Sequence, residues 1–220
     1  MNYNKKFLWI HIPKCAGSTL RQHPDLKNAS VENFTGFAYT HTPYSEIESH
    51  QTKNLFKFSF CRNPYERIAS AFFSFKRDLN FKLYDSFDDF ILHNFKDTKG
   101  NISLEFSKTN ARTCSYVRRS VTDGSLQFND FFKTQSYFLK DKKGDINFNF
   151  IGKVENFDKD YAKLINIINI KNIKIKPMNQ NLDKDKEYIK YFDGPNKKEK
   201  IEIVNELYHE DFVNFGYEKI

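Results

Sequence analysis

The chain has 220 residues, 39% hydrophobic and 17% aromatic, with 24 Phe and 12 Tyr. That suits one domain over residues 1–220 with a sizeable buried core, and it excludes a disordered polar chain. Lys and Arg number 35 against 28 Asp and Glu, a formal charge of +7, which favours an anionic partner such as a nucleotide, nucleic acid, acidic glycan or membrane surface.

Phe7 to Pro13 reads as a short buried strand. It runs into Lys14-Cys15-Ala16-Gly17-Ser18-Thr19-Leu20, a small-residue turn that opens a helix, which His23-Pro24-Asp25 interrupts early. Residues 33–41 form a second candidate strand ending at His41, and Pro43 suits the first turn of a helix reaching Gln51. Leu55 to Cys61 alternates as a strand with both faces covered. After the Arg62-Asn63-Pro64 turn, residues 65–76 have helical spacing, and residues 86–95 read as a Phe-rich helix. Residues 96–124 are polar and contain Arg112, Arg118 and Arg119. The stretch from Phe128 to Leu139 has some helical character. Asp145 to Val154 alternates as a strand, residues 158–169 form an amphipathic helix, and residues 183–193 and 196–208 read as helices. Strands alternating with helices predict an α/β fold with a central, mainly parallel sheet.

The longest apolar runs, such as Phe7-Leu8-Trp9-Ile10, fall far short of the roughly 18 residues of a membrane helix. Lys5-Lys6 is not followed by the apolar stretch of a secretory signal. The three cysteines, Cys15, Cys61 and Cys114, lack C-x-x-C spacing. That argues against a disulfide framework and a structural zinc site, and for a cytoplasmic protein. The six histidines include no H-E-x-x-H, so no metal is expected.

Two segments carry chemistry. In His11-Ile12-Pro13-Lys14-Cys15-Ala16-Gly17-Ser18-Thr19, a strand, a turn and a helix start aim backbone N–H groups one way, which suits a phosphate. Gly17 permits close approach, Ser18 and Thr19 offer hydroxyls, and Lys14 offers a charge. Lys14 precedes the glycine, so this is not the G-x-x-x-x-G-K-[ST] loop of a Mg²⁺-dependent NTPase. The second segment is Phe58-Ser59-Phe60-Cys61-Arg62-Asn63-Pro64-Tyr65-Glu66-Arg67-Ile68-Ala69-Ser70. Arg62 ends a strand, where open α/β sheets bind ligands. Ser70 lies about two helical turns further on, so the two can converge on one anion. The alternative is a structural Arg62 that pairs with Glu66, and Arg67 reads as structural.

These segments resemble sulfotransferase family 2, whose members use 3′-phosphoadenosine 5′-phosphosulfate (PAPS). HIPKCAGSTL is similar to that family's 5′-phosphosulfate loop, and FSFCRNPYERIASAF to its 3′-phosphate motif. FIGKVENFDKDY and LYHEDFVNFGY resemble two later blocks, in family order. The resemblance implies a P-loop-like three-layer sandwich with helices flanking the sheet. It implies that Lys14 and the N–H groups of Cys15, Ala16, Gly17, Ser18 and Thr19 hold the 5′-phosphosulfate, and that Arg62 and Ser70 bind the 3′-phosphate. YTHTPYSEI resembles the block around the family's catalytic histidine, which makes His41 the candidate base, with Glu46 and Glu48 as alternatives. His11 is expected in or below the loop. Cys15 replaces the usual Thr, and the interval from Lys14 to His41 is shorter than in vertebrate members. The implied partner is a carbohydrate acceptor, acidic glycans included. Arg112, Arg118, Arg119 and Lys153 are candidate contacts for an acidic sugar, and Gln135 and Asn179 or Asn181 fall near polar positions of the family.

Two other function classes remain open on the residues alone. A P-loop-type small-molecule kinase lacks the G-K-[ST] signature and a clear Mg²⁺ aspartate. A non-catalytic module for acidic glycan or nucleic acid predicts steep salt dependence, but no RNA-binding or helix-turn-helix signature accompanies it.

Overall fold

The computed structural model describes residues 7–29, 41–78, 84–95, 131–176 and 188–220. The chain divides into two units, Met1–Arg62 with Gln135–Lys184, and Asn63–Thr134 with Asp185–Ile220. The candidate strand over residues 33–40, and Arg112, Arg118, Arg119, Asn179 and Asn181, lie outside the described residues.

Among the described residues, the first unit holds a three-stranded parallel sheet flanked by helices, in the order β1 (Phe7–Trp9), β2 (Phe56–Cys61), β3 (Phe150–Lys153). The register places Trp9 beside Phe58, and Phe60 and Cys61 beside Gly152 and Lys153. Parallel neighbours need long crossovers. The first carries α1 (Gly17–Leu20), α2 (Pro24–Asn28), α3 (Tyr44–Ile47) and α4 (His50–Lys53). The single helix expected from Pro43 to Gln51 is therefore two. Glu48 is extended, and the Ser49 side chain accepts from the Thr52 N–H, starting a new helix.

β2 is the central strand, and Phe58 and Phe60 are fully buried, as its near-continuous apolar reading requires. Gly152 makes room for the Phe60 ring, since a Cβ there would lie 2.5 Å from Phe60 Cε1. β3 is shorter than the alternation from Asp145 suggests. The Asn149 side chain accepts the Lys57 N–H at 2.8 Å, and the Asn149 N–H donates to the Lys57 carbonyl at 2.9 Å. Asp145 closes a turn onto Asp141. After β3, α5 (Phe157–Ile168) buries Tyr161, Leu164 and Ile165.

The second unit is built on α6 (Pro64–Asp78), α7 (Phe87–Asn94), α8 (Lys197–Leu207) and α9 (His209–Phe215). Its core is aromatic, with Tyr65, Phe72, Phe90, Phe132, Phe192, Tyr208 and Phe212 among its members. Phe72 and Phe90 have ring centroids 5.0 Å apart, in the range of favourable aromatic pairs. Arg67 is buried and donates to the carbonyls of Lys133 (2.8 Å) and Phe131 (3.2 Å), while the Tyr208 hydroxyl donates to that of Phe132 (2.8 Å). Arg67 is thus structural.

Candidate active site

Because the strands are parallel, their C-terminal ends share one sheet edge. The loop after β1 begins there, Arg62 follows β2 directly, and Lys153 closes β3. Such edges are where open α/β sheets take ligands.

The β1 loop is held open by two left-handed non-glycine residues, Lys14 (φ 67°) and Ala16 (φ 60°). Each conformation costs roughly 1–2 kcal/mol, and strain of this kind clusters at functional sites. The Cys15 N–H donates back to the Ile12 carbonyl (3.2 Å), and the Thr19 N–H to that of Ala16 (3.0 Å). These two groups are engaged within the turn, which narrows the expected five-residue cradle. Among the described residues, the N–H groups of Ala16 and Gly17 donate to no carbonyl. α1 has four residues, too short for the macrodipole of a long helix. The cations near the loop are Lys14 within it and Arg21, whose guanidinium lies 5.5 Å over the Trp9 ring. Ser18 is exposed at the loop and Thr19 is buried.

His11 lies under this loop, as the sequence suggests. A Cβ on Gly17 would stand 1.8 Å from its Nε2, so glycine is required here by space. The His11 ring is backed by Trp9 at 5.1 Å and His41 at 4.6 Å, which prevents retreat. Gly17→Ala is expected to destabilise the protein by about 3 kcal/mol, on the order of 6–12 °C in Tm. Thermal unfolding checks this, and adding His11→Ala to the same chain should recover most of the loss.

Burial holds the His11 imidazole well below the usual pKa of 6.5, with His41, Arg21 and Lys14 adding to the effect. Among the described residues its Nδ1 is buried without a hydrogen-bond partner. His11 is therefore neutral at pH 7. His41, itself buried, sits beside it at the loop. Sequence spacing alone does not reveal that contact.

The family model described as "Sulfotransferase family" matches residues 1–218. The chain belongs to the sulfotransferase family. No curated protein and no solved structure matches it significantly. The family supports an enzyme that transfers sulfate, and its members generally use PAPS.

In this sulfotransferase the remaining candidates separate clearly. Arg62 is half-buried at the end of β2, in the first unit, and Ser70 is half-buried on α6, in the second. The Lys153 N–H donates to Asp160 at 2.7 Å. Glu48 does not face open solvent. Its side chain is 7% exposed and bridges to Lys53 at 3.2 Å. The Lys142 N–H, followed by Lys53, holds its carboxyl below the usual carboxylate range, which makes it a weak base. Glu46 is exposed. His23 caps α2 and bonds the Lys171 carbonyl at 2.9 Å, a structural role.

Gln135 serves the main chain at the end of β2. It is fully buried, and its amide bonds the main chain of Arg62. The Cys15 thiol points to the same amide, 3.4 Å from Oε1. Among the described residues no group of His, Cys, Asp and Glu could hold a metal ion, and no helix is long and apolar enough to cross a membrane.

Proposed function

We propose that this sulfotransferase moves the sulfuryl group of PAPS to a hydroxyl of a carbohydrate, acidic glycans included. The single observation that supports it most is the contact of the His41 and His11 rings beneath the Lys14 loop: a base at His41 would lie close to an anion held by that loop. The strand, strained loop and helix order of β1 and α1 also supports the P-loop-like, three-layer reading of the fold. The cysteine usage supports a cytoplasmic location.

The chemistry follows from charge. In an in-line displacement the acceptor oxygen bonds to sulfur as the bond from sulfur to the 5′-phosphate oxygen breaks. Lys14 and the N–H groups of Ala16 and Gly17 stabilise the charge that builds on that leaving oxygen. His41 takes the proton of the attacking hydroxyl. Adenosine 3′,5′-bisphosphate leaves, and Arg62 holds its 3′-phosphate. Arg62 suits that task because its guanidinium presents a fork of donors. Nothing in this sequence of events calls for a metal.

Arg62→Ala is expected to weaken adenosine 3′,5′-bisphosphate binding by about 30- to 100-fold, the loss of a charge-assisted contact, and to leave AMP binding nearly unchanged. Calorimetric titration with both nucleotides reads this directly. The acceptor class is tested with ³⁵S-labelled PAPS and a panel of neutral and acidic glycans, with EDTA present. Label should enter a glycan and be insensitive to EDTA. Labelling of phenols or proteins alone would overturn the carbohydrate assignment.

A further inference from the structure

Gln135 starts a short helix, Gln135–Leu139, and is fully buried. Its side chain acts as a piece of strand. Oε1 accepts the Arg62 N–H at 2.8 Å, and Nε2 donates to the Arg62 carbonyl at 2.8 Å. β2 ends at Cys61, which is also the last β2 residue in register with β3. The amide therefore continues the ladder by one residue beyond the sheet. Two bonds on one residue's main chain set where its Cα lies and which way its side chain leaves. The same Oε1 receives the Cys15 thiol at 3.4 Å, and Cys15 is the neighbour of Lys14 in the strained loop. One buried amide thus touches both elements that the functional reading assigns to the donor's anions.

We infer that Gln135 is a positioning residue for donor recognition. It holds the Arg62 main chain so that the guanidinium meets a 3′-phosphate, and it ties that position to the Lys14 loop. The inference rests on the assignment of Arg62 to the 3′-phosphate. It also differs from a plain packing role. Packing loss weakens every ligand of the site alike, whereas misplacing Arg62 weakens only ligands that carry a 3′-phosphate.

The test is calorimetric titration of the full chain with adenosine 3′,5′-bisphosphate and with AMP. Gln135→Leu keeps the volume near that of glutamine and removes both bonds to Arg62 together with the weak Cys15 thiol contact. Its preference for the bisphosphate over AMP should fall about ten-fold or more, with AMP affinity changed less than about three-fold. Gln135→Glu supplies a conservative rescue. A buried carboxyl is pushed towards its neutral form, which can donate its O–H to the Arg62 carbonyl and accept the Arg62 N–H. Its preference, measured relative to wild type at the same pH, should approach the wild-type value near about pH 5.5 and fall as the carboxyl ionises. Wild-type preference in Gln135→Leu overturns the inference. If Gln135→Leu does not fold, a Gln135→Glu preference that is independent of pH overturns it instead. Wild-type protein that does not distinguish the two nucleotides, or Arg62→Ala that still does, would remove the reading beneath it.

Discussion

Lys14→Ala is expected to lower kcat by about 10²- to 10³-fold, the usual effect of removing one donor from a developing anion. Lys14 sits at φ 67°, and alanine carries the same Cβ, so the backbone strain of the loop is unchanged by this substitution. Affinity for adenosine 3′,5′-bisphosphate should fall much less than kcat. Lys14 acts on charge that appears only as the bond to the leaving oxygen breaks, so it affects the transition state more than the bound ground state. Steady-state kinetics with PAPS, alongside titration of the bisphosphate, separates the two. An equal loss in binding and in kcat/KM would make Lys14 a ground-state anchor.

His41→Ala should lower kcat by about 10²- to 10⁴-fold, the range for loss of a general base, with bisphosphate affinity retained. An imidazole must be neutral to accept the hydroxyl proton, so the wild type should have an acid limb in its pH–rate profile that the variant lacks. His11 is a poor substitute despite its proximity, because burial and the adjacent cations lower its proton affinity. Full activity in His41→Ala would move the base elsewhere in the site. Glu48 is not a strong replacement, since the Lys142 N–H and Lys53 hold it as a stable carboxylate.

Periodicity located the elements whose stability comes from burying one face or both. Phe56–Cys61 and Pro64–Asp78 were legible for that reason, as was Phe157–Ile168. Alternation failed over residues 145–149 because a strand also needs a partner, and there the Asn149 side chain takes the Lys57 N–H that a neighbouring strand would use. The break between α3 and α4 depends on one side-chain cap at Ser49, which local propensity does not weigh against Pro43.

The candidate site divides in the same way. Lys14 and Gly17 lie in one contiguous motif, and the family blocks marked Arg62, Ser70 and His41 as candidates. The contact of His11 with His41 and the bonds of Gln135 to Arg62 join residues far apart in the chain. A buried amide that bonds backbone leaves no periodic or compositional mark. The terminal LYHEDFVNFGY block also matches the family pattern, yet Tyr208, Phe212 and Phe215 are core residues of the second unit. Matching a family motif therefore marks packing as readily as chemistry.

The most direct test of the central claim is thermal unfolding with adenosine 3′,5′-bisphosphate, with AMP and ATP·Mg as controls. At 100-fold over its dissociation constant a ligand adds about 2.7 kcal/mol, on the order of 5–10 °C for a chain of this size. PAPS use predicts that rise for the bisphosphate, with much smaller shifts for AMP and ATP·Mg. No rise with the bisphosphate, or a rise with ATP·Mg alone, would contradict it.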